Sequence, residues 1–102
     1  MKIYEIDCRE KTIFEIDYSD FENFVNEYFE LDGNYSFVDD WQANNDSSYS
    51  YNISKDLQSW DIRNIEILKT TKNYSFIAAT LLRYFASKDL IKEGEYIIKV
   101  SW

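Results

Sequence analysis

The alternation of apolar and polar residues predicts two strands at the start of the chain. Residues 2–6 and 12–17 are rich in β-branched and aromatic residues, a composition that favours strands. In the second segment Phe14 and Ile16 share one face while Glu15 and Asp17 share the other, as in a sheet with one face in water. The link over residues 7–11 is polar and short, so we expect the two strands to form a hairpin.

A helical period follows over residues 19–30. Its apolar positions are spaced i, i+3, i+4, i+7 and i+8, which places them on one side of a helix. Ser19 and Glu22 have the spacing of a capping box, and Gly33 suits a helix C-terminus. The predicted buried stripe comprises Phe21, Phe24, Val25, Tyr28 and Phe29. The opposite arc carries Asp20, Glu22, Asn23, Asn26, Glu27 and Glu30.

The remaining segments complete a mixed pattern. Residues 35–38 and 49–53 are predicted as strands, residues 56–69 and 74–88 as helices, and residues 95–102 as a final strand. Ser54 or Asp56 is the expected cap of the 56–69 helix, whose inner side includes Trp60, although residues 65–68 fit a short strand equally well. Asn73 is the expected cap of the next helix.

The order β-β-α-β-β-α-α-β predicts one α+β domain over residues 1–102. We expect a mostly antiparallel sheet of about four to five strands, with two to three helices packed on one face.

Charge is distributed very unevenly along the chain. Residues 12–54 contain ten carboxylates and no lysine or arginine. Residues 1–53 hold thirteen acids and three bases, whereas residues 54–102 hold six acids and eight bases, which together give the net charge of −8. A solvated, solubilising face is one interpretation. The concentration of charge in one half favours a second one, a surface that binds a basic protein.

The chain lacks the residue type that enzymes use most often for acid–base chemistry. Histidine is absent, which removes the commonest general base and transition-metal ligand, and Cys8 therefore has no histidine to activate it. Asp39, Asp40 and Asp46 offer oxygen ligands, but they lack the spacing and the glycine of a calcium-binding loop. We expect no enzymatic activity, no cofactor and no metal site.

The composition also limits location and partners. A single cysteine and the lack of a signal-peptide pattern at the N-terminus favour a reducing cytoplasm. No segment approaches the roughly 18 apolar residues of a membrane span. An acidic surface is repelled by anionic lipid and by nucleic acid, so we expect neither a membrane nor direct nucleic-acid partner. Trp41 lies in an acidic loop, where it is either a core residue or an interface anchor.

In its small size, its uncompensated acids from Glu15 to Asp46, its many tyrosines and its lack of catalytic residues, the chain resembles small acidic counter-defence proteins of phages and mobile elements. These are the anti-CRISPR and anti-restriction inhibitors. The resemblance implies a protein that binds a defence nuclease or CRISPR effector complex in a bacterial host cell and blocks its nucleic-acid site. Immunity proteins that neutralise a nuclease toxin have the same physical character.

We therefore expect a non-enzymatic inhibitor, either monomeric or homodimeric, with a basic protein partner. The alternatives are a toxin immunity protein and an assembly module that pairs through strand edges. The expected partner-binding residues are Glu15, Asp17, Asp20, Glu22, Glu27, Glu30, Asp32, Asp39, Asp40, Trp41 and Asp46.

Overall fold

One mixed sheet of four strands lies within the residues described by the computed structural model of the protein, which are 1–40, 48–70 and 77–100. The strands are β1 (Ile3–Cys8), β2 (Lys11–Asp17), β3 (Ser48–Ile53) and β4 (Gly94–Lys99), in the spatial order β1-β2-β4-β3. The β1–β2 and β3–β4 pairs are antiparallel, whereas the central β2–β4 pair is parallel. The predicted N-terminal hairpin and the mostly antiparallel α+β fold are confirmed.

The helices form a layer on one face of this sheet. They are α1 (Tyr18–Tyr28), the short α2 (Phe37–Asp40), α3 (Ser59–Thr70) and α4 (Ala78–Ser87). Strand register places Tyr49, Ile98 and Ile16 in one row across the sheet, and all three are buried. Strand and helix side chains share one core, whose fully buried members include Phe21, Val25, Leu81, Phe85, Tyr96 and Ile98.

The strand predicted over residues 35–38 is wrong, because its backbone binds side chains of α1 instead of another strand. The Tyr35 N–H donates to Asn26 Oδ1 at 3.0 Å, and Asn26 Nδ2 donates to the Tyr35 carbonyl at 3.0 Å. The Phe37 N–H donates to Glu22 Oε1 at 2.8 Å. Tyr35 and Phe37 are buried, so the alternate burial of this segment results from its packing against α1. The helix α2 then begins at Phe37.

The predicted capping box is also wrong. Asp17, rather than Ser19, caps α1, because its carboxylate accepts a hydrogen bond from the Ser19 N–H at 2.8 Å. Glu22 is occupied by the Phe37 N–H. At the other end the helix stops before Gly33, and Glu30 takes the left-handed conformation there with φ 54°.

The second half follows the prediction with shifted boundaries. α3 begins at Ser59, so the strand alternative for residues 65–68 is wrong. Trp60, expected on the inner side, is 56% exposed. β3 matches its prediction closely, with Tyr49, Tyr51 and Ile53 buried. The predicted cap Asn73 and the C-terminal Trp102 lie outside the described residues.

Candidate functional site

The structure distributes the predicted binding residues over several places. Glu15 lies on the sheet face opposite the helices, Asp17 and Asp20 lie at the start of α1, and Glu22 points to residue 37. Glu27, Glu30 and Asp32 lie at its other end. A helix rises about 1.5 Å per residue, so the two ends of α1 are roughly 16 Å apart. Asp39 and Asp40 belong to α2, and the structure does not describe their side chains. Trp41 and Asp46 lie outside the described residues.

Four of these acids lie where they contribute to the fold. Glu22 accepts the Phe37 amide, as described above, and Asp17 caps α1. Asp20 lies in the first turn of α1, where a negative charge is favoured by the helix dipole. Glu15 forms an ion pair with Lys99, with 2.9 Å between Oε1 and Nζ. A stabilising role explains each of these carboxylates without a partner protein.

The three carboxylates of Glu27, Glu30 and Asp32, which we call the acidic end of α1, are in a different position. All three side chains are exposed, and Glu27, Glu30 and Asp32 line one surface groove together with Asn26 and Gly33. Among the described residues none of the three forms an ion pair. They lie at the C-terminus of the helix, where the dipole disfavours negative charge.

Backbone geometry adds a conformational cost at this end. The Leu31 N–H donates to the Asn26 carbonyl at 2.9 Å and the Glu30 N–H to the Glu27 carbonyl at 3.3 Å, the two bonds of a Schellman motif. This motif needs a left-handed residue at the position of Glu30, where glycine is usual. Asp32 is also left-handed, with φ 53°, so two non-glycine residues adopt a disfavoured conformation here.

The end of α4 has the same motif but a different electrostatic environment. The Leu90 N–H donates to the Phe85 carbonyl, and Asp89 is the left-handed residue with φ 59°. Here the carboxylate has a partner, because Lys55 Nζ lies 2.8 Å from Asp89 Oδ1. This hydrogen bond and the charge of Lys55 lower the pKa of Asp89 below its ordinary value. The C-terminal ends of α1 and α4 thus provide a matched comparison, because Asp89 has an ion-pair partner and Glu30 has none among the described residues.

Aromatic side chains and one lysine border the acidic end of α1. Tyr28 is 41% exposed, and its ring packs edge-on against Phe85 with 5.4 Å between centroids. A hydrogen bond with Tyr84, together with burial, raises the pKa of Tyr28 above its ordinary value.

Lys69 borders the acidic end of α1 from another helix. Its Nζ lies 5.6 Å from the centre of the Phe29 ring, and Lys69 lines a second pocket with Glu30 and Asp32. A lysine distant in sequence therefore borders the acids without forming an ion pair with them within the described segments.

The second half holds a buried acid that the sequence analysis did not identify. Asp61 is fully buried between α3 and α4, and it receives hydrogen bonds from Thr80 Oγ1 at 2.6 Å, Arg83 Nη2 at 2.6 Å and the Gln58 N–H at 3.0 Å. Burial raises the pKa of Asp61, but the hydrogen bonds from Arg83, Thr80 and Gln58 outweigh it, so the pKa is lowered overall. No local pattern reveals this pairing, because Asp61 and Arg83 are 22 positions apart in sequence, on two helices.

The structure adds little to the other chemical candidates. Cys8 is exposed at the end of β1. Across residues 1–40, 48–70 and 77–100, no three cysteine or acidic residues are arranged to hold a metal ion. None of the helices in these segments is both long and apolar enough to cross a lipid bilayer.

Comparison with other proteins gives no relative from which a function can be transferred. No protein-family model, no curated protein and no solved structure matches the chain.

Proposed function

We propose that this protein is a non-enzymatic inhibitor that binds a basic nucleic-acid-handling protein and covers its nucleic-acid site. The target would be a nuclease or a CRISPR effector, met in the cytoplasm of a bacterial host cell. The contact would centre on the acidic end of α1. One observation carries the proposal: three exposed carboxylates lie together at the C-terminus of a helix, without an ion-pair partner among the described residues.

The argument depends on what stability alone would favour at these positions. A glycine in place of Glu30 would avoid the left-handed strain, and a lysine in the last turn of α1 would interact well with the dipole. The last turn of α1 has no basic residue, and Glu30 and Asp32 both have positive φ. Residues that oppose local stability are concentrated at functional surfaces, so these carboxylates are best explained by a partner.

A basic groove is the partner that this surface fits. Carboxylates on a rigid scaffold attract a positively charged site over a distance and accelerate association, an effect that salt weakens. Tyr28 adds an exposed aromatic ring one residue from Glu27. Tyrosine is enriched at interface hot spots, and arginine stacks well on aromatic rings. The acids would then set the association rate, and Tyr28 would slow dissociation.

The test begins with affinity capture from a bacterial host lysate at low and at high salt, followed by mass spectrometry. A captured nuclease or effector is then purified and assayed for nucleic-acid cleavage with increasing amounts of this protein. We expect inhibition that weakens at high salt. The variant Glu27→Gln/Glu30→Gln/Asp32→Asn should inhibit about tenfold less, since three exposed charge pairs of about 0.5 kcal/mol each would be lost.

A control variant with the same change in net charge separates a local surface from overall acidity. Glu10, Asp56 and Glu66 are exposed acids outside the proposed contact, so Glu10→Gln/Asp56→Asn/Glu66→Gln should inhibit like the natural protein. Equal loss in both variants would show that only total charge matters. Full inhibition by both would exclude the acidic end of α1 as the contact.

A further inference from the structure

The outer edge of β1 is a second surface with the properties of a binding site. β1 pairs with β2 on one side and with no strand on the other, within the part of the chain that the structure describes. An edge strand presents a row of backbone N–H and C=O groups that can pair with another extended segment. β1 is also the most exposed strand of the described sheet, with no fully buried residue.

The two carboxylates of β1 share one face of the strand, with Ile3 on the same face. Register places Glu5 beside Phe14 and Asp7 beside Thr12, on the face that the helices cover further along the sheet. Both carboxylates are nevertheless exposed. Tyr4 and Ile6 lie on the opposite face, and Tyr4 is 56% exposed. An added strand would therefore meet two carboxylates and Ile3 on one face and Tyr4 and Ile6 on the other.

A second copy of this chain fits that edge poorly. Residues directly opposite each other in an antiparallel pair share a face, so Glu5 can face only residues of its own face. The two self-pairing registers that match most of the strand place Glu5 opposite Glu5 or opposite Asp7. Like charges directly opposite each other are destabilising. The carboxylates thus select against antiparallel pairing with β1 of another copy and favour a strand that carries lysine or arginine.

We propose that the β1 edge binds an extended segment of another protein in which basic and apolar residues alternate. The segment would add a fifth strand, with its basic side chains beside Glu5 and Asp7 and its apolar side chains beside Tyr4 and Ile6. Backbone hydrogen bonds would supply the affinity and the alternating side chains the specificity. This site is separate from the acidic end of α1 and does not depend on the function proposed above.

The test uses the isotope-labelled protein and two synthetic peptides of equal composition. One peptide alternates, acetyl-Lys-Val-Lys-Val-Lys-Val-amide, and the other is blocked, acetyl-Lys-Lys-Lys-Val-Val-Val-amide. We expect the alternating peptide to shift the backbone amide resonances of residues 3–8 and to bind about tenfold more tightly than the blocked one, since only a strand with period two presents both faces correctly.

Variants connect the binding to the two carboxylates. Glu5→Lys/Asp7→Lys should weaken binding of the alternating peptide by about tenfold, whereas the matched reversal Asp56→Lys/Glu66→Lys should leave it unchanged. Glu27→Gln/Glu30→Gln/Asp32→Asn should also bind the peptide normally, which separates this site from the proposed inhibitor surface. Equal affinity for both peptides, or resonance shifts confined to the end of α1, would overturn the proposal. A homodimer whose contact protects the backbone amides of residues 3–8 from hydrogen exchange would also overturn it, because the occupant would then be a second copy.

Discussion

Replacement of Glu30 by glycine should make the protein more stable and a weaker inhibitor at the same time. Glu30 is the left-handed residue that ends α1, with φ 54°. It is exposed, and no ion pair joins it to another described residue. The substitution removes a strained side chain and an unfavourable charge, and it removes one of the three carboxylates that we assign to the partner.

The size of the stability gain follows from three contributions. A side chain in the left-handed region costs about 1–2 kcal/mol, which glycine avoids. Glycine loses more conformational freedom on folding, which reduces the gain in the free energy of unfolding by about 0.5–1 kcal/mol. Removal of a negative charge from the helix C-terminus adds about 0.3–1 kcal/mol. The net gain is about 1 kcal/mol, which for a domain of this length raises the Tm by about 4–8 °C.

Thermal and urea unfolding, monitored by circular dichroism, measure the gain, and the cleavage assay measures inhibition. Glu30→Gln separates the two effects, because it removes the charge and keeps the strain. We expect a smaller increase in Tm from Glu30→Gln and a similar loss of inhibition. Asp89→Gly is the matched control at the end of α4. It relieves the same strain but breaks the ion pair with Lys55, so its stability gain should be smaller and its inhibition unchanged.

Two results would refute this reasoning. A lower Tm for Glu30→Gly would mean that the Glu30 side chain stabilises the fold, and its presence would then need no partner to explain it. A higher Tm with unchanged inhibition would confirm the strain but place the contact elsewhere on the protein.

Three further predictions concern the fold itself. Asp61→Asn should lower the free energy of unfolding by about 3 kcal/mol, because it leaves the Arg83 guanidinium with a neutral partner. Since the pKa of Asp61 is lowered in the folded state, its contribution is present above about pH 4 and is lost as the pH falls further, so urea midpoints measured down to pH 2 should fall less steeply in the variant. Asn26→Ala should cost about 2 kcal/mol in urea unfolding, because both backbone groups of Tyr35 lose their Asn26 partner. Burial raises the pKa of Tyr96 to about 12, so stability should decline as the pH rises from about 10 towards 12, and Tyr96→Phe should make that decline smaller in alkaline unfolding curves.

Substitutions of two other acids serve as controls for the acid unfolding and for the hydrogen bonds between α1 and residues 35–37. Asp56→Asn changes an exposed acid and should leave acid unfolding as in the natural protein. Glu22→Gln keeps an oxygen that accepts the Phe37 N–H and should be nearly neutral, whereas Glu22→Ala should cost about 1 kcal/mol. If Glu22→Gln proved as harmful as Glu22→Ala, the hydrogen bond would not be the reason for that residue.

The sequence predicted the elements that have a strong local period. β3 was predictable because Tyr49, Tyr51 and Ile53 alternate with polar residues, and α1 because its apolar stripe repeats with the helical period. The strand prediction for residues 35–38 failed because alternate burial also arises when an extended segment docks on a helix. The side chain of Asn26 supplies hydrogen bonds there that resemble those of a neighbouring strand.

The candidate site was predictable in its charge but not in its geometry. The absence of lysine and arginine over residues 12–54 is visible in the sequence, but it does not distinguish the role of Glu22 from that of Glu27. Only the fold shows that Glu22 holds the Phe37 amide while Glu27 is exposed in a groove. The contact between Lys69 and the Phe29 ring was equally hidden, since the two residues are forty positions apart.

The comparison of acids that have a partner with acids that have none identifies which part of the acidic half is a candidate binding surface. In the second half, Asp61 binds Arg83, Asp89 binds Lys55, and Glu93 accepts the Lys55 N–H, so these carboxylates stabilise the fold. In the first half, Glu15 and Glu22 have comparable roles. Exposed acids also occur elsewhere on the surface, but those at the end of α1 lie together, oppose the helix dipole and include two strained residues. Solubility would be served equally well by carboxylates on unstrained positions, so the placement of these acids, rather than their number, is the reason to expect a binding partner.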